Sequence, residues 1–187
     1  MKALAGAVVV MGMAAQAGAA GLLPGQWRSD YRVLINGRDS TAVMSQFVAQ
    51  VRSALPTSVK TNARVGLNSI GNLGSSSVCL PAQVASTLTT PTTIFNTFSK
   101  MNPLCKLVAG TPNGGTVPFT GRCDDPVSFT GPVSGQVSIT SSAKWAATME
   151  GAGKFPDAVL AGLSIPAKTT VMMKTTASNN LLSTTCQ

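Results

Sequence analysis

Cys105-Lys106-Leu107-Val108-Ala109-Gly110-Thr111-Pro112-Asn113-Gly114-Gly115-Thr116-Val117-Pro118-Phe119-Thr120-Gly121-Arg122-Cys123 is the stretch that decides the fold. Two short apolar runs, Leu107-Val108 and Val117 with Phe119, flank a Thr-Pro-Asn-Gly-Gly segment. Asn and Gly tolerate the positive φ that a tight hairpin turn needs. A chain folded back near Asn113-Gly114 brings Cys105 and Cys123 opposite each other at the base of the hairpin, where a disulfide can form. The hairpin indicates a small exported β domain. It does not indicate what the domain does.

The chain has 187 residues, enough for one domain with a real core. Only 11% of them are charged, against a usual share of about a quarter. Gly, Ser, Thr and Pro fill the gap, a balance poor for long helices. The 44% hydrophobic share argues against disorder. The net charge is +8, and Arg28, Arg32, Arg38, Arg52, Lys60, Arg64 and the later lysines are scattered. Such scatter reads as a solvated basic surface, with attraction to an anionic surface as the sharper alternative. No basic run carries interleaved aromatics, so no nucleic-acid partner is expected.

At the N-terminus, Lys2 is followed by an apolar stretch from Ala3 to Ala14 and by Ala15-Gln16-Ala17 or Ala17-Gly18-Ala19. That is the order of a secretory leader with a small-x-small cleavage site. Residues 1–19 are therefore expected to be a signal peptide cleaved near Ala17 or Ala19, and 20–187 one β-rich domain in the periplasm or secreted. The run is too short and too rich in Ala and Gly for a retained membrane anchor. The first cysteine is Cys79, so a lipid-anchored lipoprotein is excluded. Four cysteines in an exported chain read as two disulfides, with three connectivities open. The hairpin favours Cys105–Cys123, and elimination leaves Cys79–Cys186. A four-cysteine metal site fails because no C-x₂-C pair exists.

Further along, Gln26 to Ile35 alternates with Trp27, Tyr31, Val33 and Ile35 on one face, a half-buried first strand ended by Asn36-Gly37. Asp39-Ser40 can cap a helix whose stripe is Val43, Phe47 and Val51, with Met44, Val48 and Leu55 beside it, ending at Pro56. Val59 to Leu67 reads as a strand and Asn68 to Ser77 as loop. Val78-Cys79-Leu80 leads into a short helix opened by Pro81. Ile94, Phe95 and Phe98 indicate a helical turn or two. Val127 to Thr130 resumes β structure; Gln136 to Thr140 and Lys144 to Glu150 read as paired strands. Asp157 to Ala161 fits a helical turn, and Thr169 to Thr176 with Leu181 to Cys186 a last hairpin about Asn179-Asn180. The expected fold is mainly β (α+β): an antiparallel, curled or lipocalin-like sheet, one amphipathic helix packed on it, and two disulfides.

Leu23-Pro24-Gly25-Gln26-Trp27 after a leader, Val78-Cys79-Leu80 before a short helix, Cys105 and Cys123 around a Gly-rich turn, and a cysteine near the end together resemble the DUF3617 family. Its members are small exported bacterial proteins of unestablished function. The likeness spans about Leu22 to Gln187; the family's Gly-Leu-Trp-Glu reads Gly25-Gln26-Trp27-Arg28 here. It implies a periplasmic, β-rich, disulfide-stapled domain and carries over no catalytic residue.

No histidine is present, which removes Ser-His, Cys-His and His-metal chemistry. Asp124 and Asp125 are adjacent in a turn and make a poor carboxylate pair for glycoside hydrolysis. Ser99-Lys100 and Ser142 near Lys144 are neighbours only in sequence. Gly110 to Gly115 lacks the lysine and helix of a phosphate loop. No catalytic residue, cofactor or metal is therefore expected. Two functions remain: a binding module holding a small apolar or lipid-like ligand, or an envelope structural domain gripping a partner protein by a sheet face or edge. Trp27, Tyr31, Phe47, Val51, Trp145 and Met149 are the candidates for lining the ligand pocket or, in the second case, filling the core.

Overall fold

The first strand, β1 (Gly25–Ile35), alternates as its sequence does, with Trp27, Val33 and Ile35 buried and Arg28 and Arg32 exposed. Asn36 and Gly37 both take positive φ, which lets the chain reverse into β2 (Arg38–Asp39). The computed structural model describes residues 21–54, 73–125 and 128–186, except the side chains at 51, 52 and 54. The leader and the expected strand Val59 to Leu67 lie outside the described residues.

Helix α1 (Thr41–Ala54) starts where the Asp39 carboxylate accepts the Thr41 backbone N–H at 2.9 Å. Its Met44 and Val48 are buried, with Val43 and Phe47 half-buried beside them. Strand β3 (Gly74–Leu80) runs into α2 (Ala82–Ala85), and α3 (Pro91–Met101) follows. A reciprocal pair of bonds between Thr90 and Thr93, with Pro91 in the first turn, fixes the start of α3. Then come β4 (Cys105–Ala109), β5 (Thr116–Asp124), β6 (Thr130–Ser141), β7 (Lys144–Gly153), α4 (Asp157–Gly162) and β8 (Val171–Ser183).

The strands form one antiparallel sheet in the order β2-β1-β8-β7-β6-β5-β4, with β3 sharing the β2 edge of β1. The sheet is open, and helices lie on one face of it. From β4 to β8 and in β1, the odd-numbered residues pair with one another and line the inner face. Val117, Phe119, Val133, Val137, Ala147, Met149, Val171 and Met173 are buried there. The even-numbered outer face carries mostly polar and charged side chains, with Val108, Met172 and Leu182 exposed among them. Glycine lets aromatic rings lie on the inner face: a Cβ on Gly135 would stand 2.6 Å from the Phe119 ring and 2.0 Å from the Thr148 carbonyl oxygen.

Cys105 pairs with Cys123 across β4–β5 and the two are disulfide-bonded, as are Cys79 and Cys186. The organising hairpin turns at Asn113-Gly114, with Gly114 at positive φ.

Three expectations are corrected. The helical turn or two expected at Ile94, Phe95 and Phe98 is an eleven-residue helix, α3, because its Thr cap and Phe stripe support more than two turns, while α2 and α4 stand where short helical segments were expected. The loop to Ser77 is strand from Gly74, held by β1 despite its poor strand-forming residues. The last hairpin is one straight strand: Asn179 and Asn180 sit inside β8, paired with Ser29 and Arg28 of β1. Met172 and Met173 do point to opposite faces, exposed and buried.

Candidate functional site

Phe95 and Phe98 of α3 rest on Phe119, with ring centroids 5.5 and 5.6 Å apart. This seats α3 over β5 and turns its stripe Ile94, Thr97, Phe98 and Met101 toward β1 and β8. On the far side the wall is β3, whose inward positions are Gly74, Ser76, Val78 and Leu80. None of these is large enough to fill the gap beneath α3. A cavity of about 320 Å³ results, walled by β1, β3, β8, α2 and α3.

Trp27, Tyr31 and Trp145 all line it. They are both tryptophans and the sole tyrosine of the chain. Trp27 is only 2% exposed, and its indole N–H donates to the Leu23 carbonyl at 3.0 Å. Val78, Val84 and Met101 line the cavity yet are 54%, 44% and 46% exposed, so they form an apolar mouth. Among the described residues none of the cavity's lining side chains carries a charge.

Its polar groups are few. Ser29 Oγ donates to Asn179 Oδ1 at 2.7 Å. The other end of that amide, Asn179 Nδ2, is buried with no hydrogen-bond partner, and Asn179 as a whole is 6% exposed. Asn102 is satisfied differently, its Nδ2 donating to the Phe98 carbonyl at 2.8 Å as α3 ends. Burial pushes the Tyr31 phenol above its ordinary 10.0, opposed by the Thr175 hydroxyl hydrogen-bonded to it.

A smaller space of about 70 Å³, bordered by Met44, Phe129, Met149, Phe155 and Met173, shares Tyr31, Met101 and Asn102 with the larger one. Met149 therefore lines the smaller space. Phe47 is half-buried against the core and lines neither, and the side chain of Val51 lies outside the described residues. Ser29, Asn179 and the α3 stripe were not among the site candidates: Ile94 and Phe98 read only as helical positions and Asn179 only as a turn residue. Helical spacing at 94, 97, 98 and 101 was a usable signal for the stripe; Asn179 was hidden by the resemblance of Asn-Asn to a turn.

β3 is held in place from outside the cavity. Ser75 donates to the Asp30 carboxylate, and Arg28 reaches Asp30 at 3.2 Å and the Ser75 hydroxyl at 3.3 Å. The Ser75 hydrogen bond, then Arg28, hold the Asp30 carboxyl below its usual range. The Cys79–Cys186 bond ties the same strand to the chain end. Among the described residues no group of three His, Cys, Asp or Glu side chains is placed to hold a metal ion. No protein-family model, curated protein or solved structure matches this chain.

Proposed function

We propose that this chain is an exported, non-catalytic binding module that takes a small apolar or lipid-like molecule into the cavity between α3, β3 and the inner face of β1 and β8. The cavity carries the reading. Its volume of about 320 Å³ falls in the range of small-molecule sites, about 300–1,000 Å³. Its wall gathers the chain's three amphipathic aromatics, side chains suited to gripping a ligand that is mostly apolar. Tyr31 is the single titratable side chain among its described lining residues, which favours holding over chemistry. Export is supported by the leader pattern and by the two disulfides. No helix among the described residues is long and apolar enough to cross a membrane.

Native mass spectrometry of protein purified gently from the periplasm tests the reading. The expected result is a reproducible excess mass that denaturation releases. A bare monomer mass, four hydrogens short of the reduced chain for its two disulfides, would refute a resident ligand. It would shift weight to the partner-binding role, for which β4 is the observation: it ends the sheet with Val108 exposed.

A further inference from the structure

We infer that the cavity holds the hydrocarbon end of a single-chain amphiphile, tail first, and leaves the polar head in water at the mouth, so that the protein selects chain length and not head group. This rests on the binding reading above and names the class of molecule bound. The wall offers a head group little to bind. No described lining side chain is charged, so a buried ionic head would stand unpaired. The polar groups of the wall are largely engaged within the protein. The Trp27 indole N–H donates to the Leu23 carbonyl, the Thr97 hydroxyl to the Thr93 carbonyl and the Asn102 amide to the Phe98 carbonyl. Ser29 and Asn179 bond each other, and the remaining Asn179 Nδ2 has almost no accessible surface, which puts it out of a ligand's reach.

The shape of the space fits a chain. Its lining runs from Ile94 to Met101 along α3, about 10 Å at the helical rise per residue. Along β1 it runs from Trp27 to Tyr31, about 13 Å at the strand rise. Spread over such a length, the volume of about 320 Å³ leaves a mean cross-section of about 25–30 Å². That is room for one extended hydrocarbon chain and not for two. One part of the wall is closed, since Leu22, Trp27, Leu88 and Ile94 are all buried, whereas Val78, Val84 and Met101 are exposed. The tail therefore ends at the buried part and the head emerges between β3 and α3. At about 30 Å³ for each methylene-sized group, the share of one water in the liquid, the space is full at roughly ten or eleven carbons.

Isothermal titration calorimetry with unbranched alkanoates from hexanoate to tetradecanoate, below their micelle thresholds and at physiological salt, reads the chain length. Affinity should rise about fourfold for each added methylene, as burial of a CH₂ group gives, and level off at decanoate or undecanoate. Decan-1-ol and decyltrimethylammonium should bind within about fivefold of decanoate, because all three heads stay in screened water. At saturation 10-bromodecanoate should quench tryptophan fluorescence more than 2-bromodecanoate, since its bromine ends beside Trp27. In an Ala177→Leu variant the three added carbons should move the break down to about heptanoate or octanoate. A wider spread among the three heads, stronger quenching by the 2-bromo acid, or affinity that climbs without a break to tetradecanoate would overturn the inference and leave the cavity reading standing. Saturable binding by none of these molecules would overturn both. The series on wild-type protein decides the matter even if the variant does not fold.

Discussion

Ala177→Leu asks whether the space under α3 is real. Ala177 sits on the inner face of β8, paired with Tyr31 on one side and Ala147 on the other, and its methyl group faces the cavity. Leucine adds three carbons to that wall. At about 0.8 kcal/mol for each carbon moved out of water, their burial gives about 2.4 kcal/mol. Restricting the leucine rotamers costs about 0.5–1 kcal/mol, leaving a net gain of about 1.5 kcal/mol. A domain of this size should then melt about 3–6 °C higher, at about 2–4 °C per kcal/mol. Differential scanning calorimetry without reductant reads the shift, with urea unfolding as a check on the free energy. A loss of 1 kcal/mol or more is what overpacking of a filled core produces. That result would refute the cavity.

Replacing Cys79 and Cys186 together by Ala should lower stability by up to about 4–5 kcal/mol, the chain-entropy figure for a loop of about a hundred residues, since the bond closes a separation of 107 residues. Amide exchange should quicken in β3, and unchanged protection there would show that Ser75, Asp30 and the ladder suffice. Gly135→Ala should cost more than about 2 kcal/mol in urea unfolding, the mark of an overpacked core, because the new methyl would meet the Thr148 carbonyl and the Phe119 ring. A neutral outcome would mean that the sheet yields at that point. Tyr31, the sole tyrosine, can be titrated by its phenolate absorbance, and its midpoint in the folded protein should lie above 10. Because the folded value is raised, its contribution to stability is complete below pH 10 and is lost as pH rises from there through the folded value. Tyr31→Phe should remove that part of the alkaline loss; a midpoint at 10 would contradict burial of the hydroxyl.

Much of the fold was legible because local rules and tertiary packing agree. The alternation of Gln26 to Ile35 survives as β1 because one face of the sheet is buried and the other wet. Asn113-Gly114 turns where positive φ is needed, and the cysteines meet because hairpin register puts them opposite. Where the reading failed, long-range partners overrode local composition. Gly74-Ser75-Ser76-Ser77 has no preference for a strand, yet it pairs with Ser29, Asp30 and Tyr31 of β1 and is anchored by Asp30 and the Cys79 bond. Asn179-Asn180 has turn chemistry, yet it continues β8 because β1 and β7 flank it on both sides. Trp27, Tyr31 and Trp145, named from the sequence, border the cavity, whereas Phe98 borders it as part of a helix face that only the fold aims there, and Phe47 does not. Asn179 was not nameable in advance, since an asparagine in a strand gains its meaning only from the neighbours it meets.

The inner face of β8 explains why that asparagine matters. Its inward residues are Val171, Met173, Thr175, Ala177, Asn179 and Leu181, four of them apolar. Thr175 is polar but satisfied, its hydroxyl reaching the Met149 carbonyl and bonded to Tyr31. Asn179 is satisfied at one end only. A leucine there would fill space and remove an orphan donor that costs about 1–3 kcal/mol. Folding alone therefore gives no reason for the amide. The cavity of about 320 Å³ adjoins the same asparagine, so two separate costs, lost packing and lost hydrogen bonding, fall in one region.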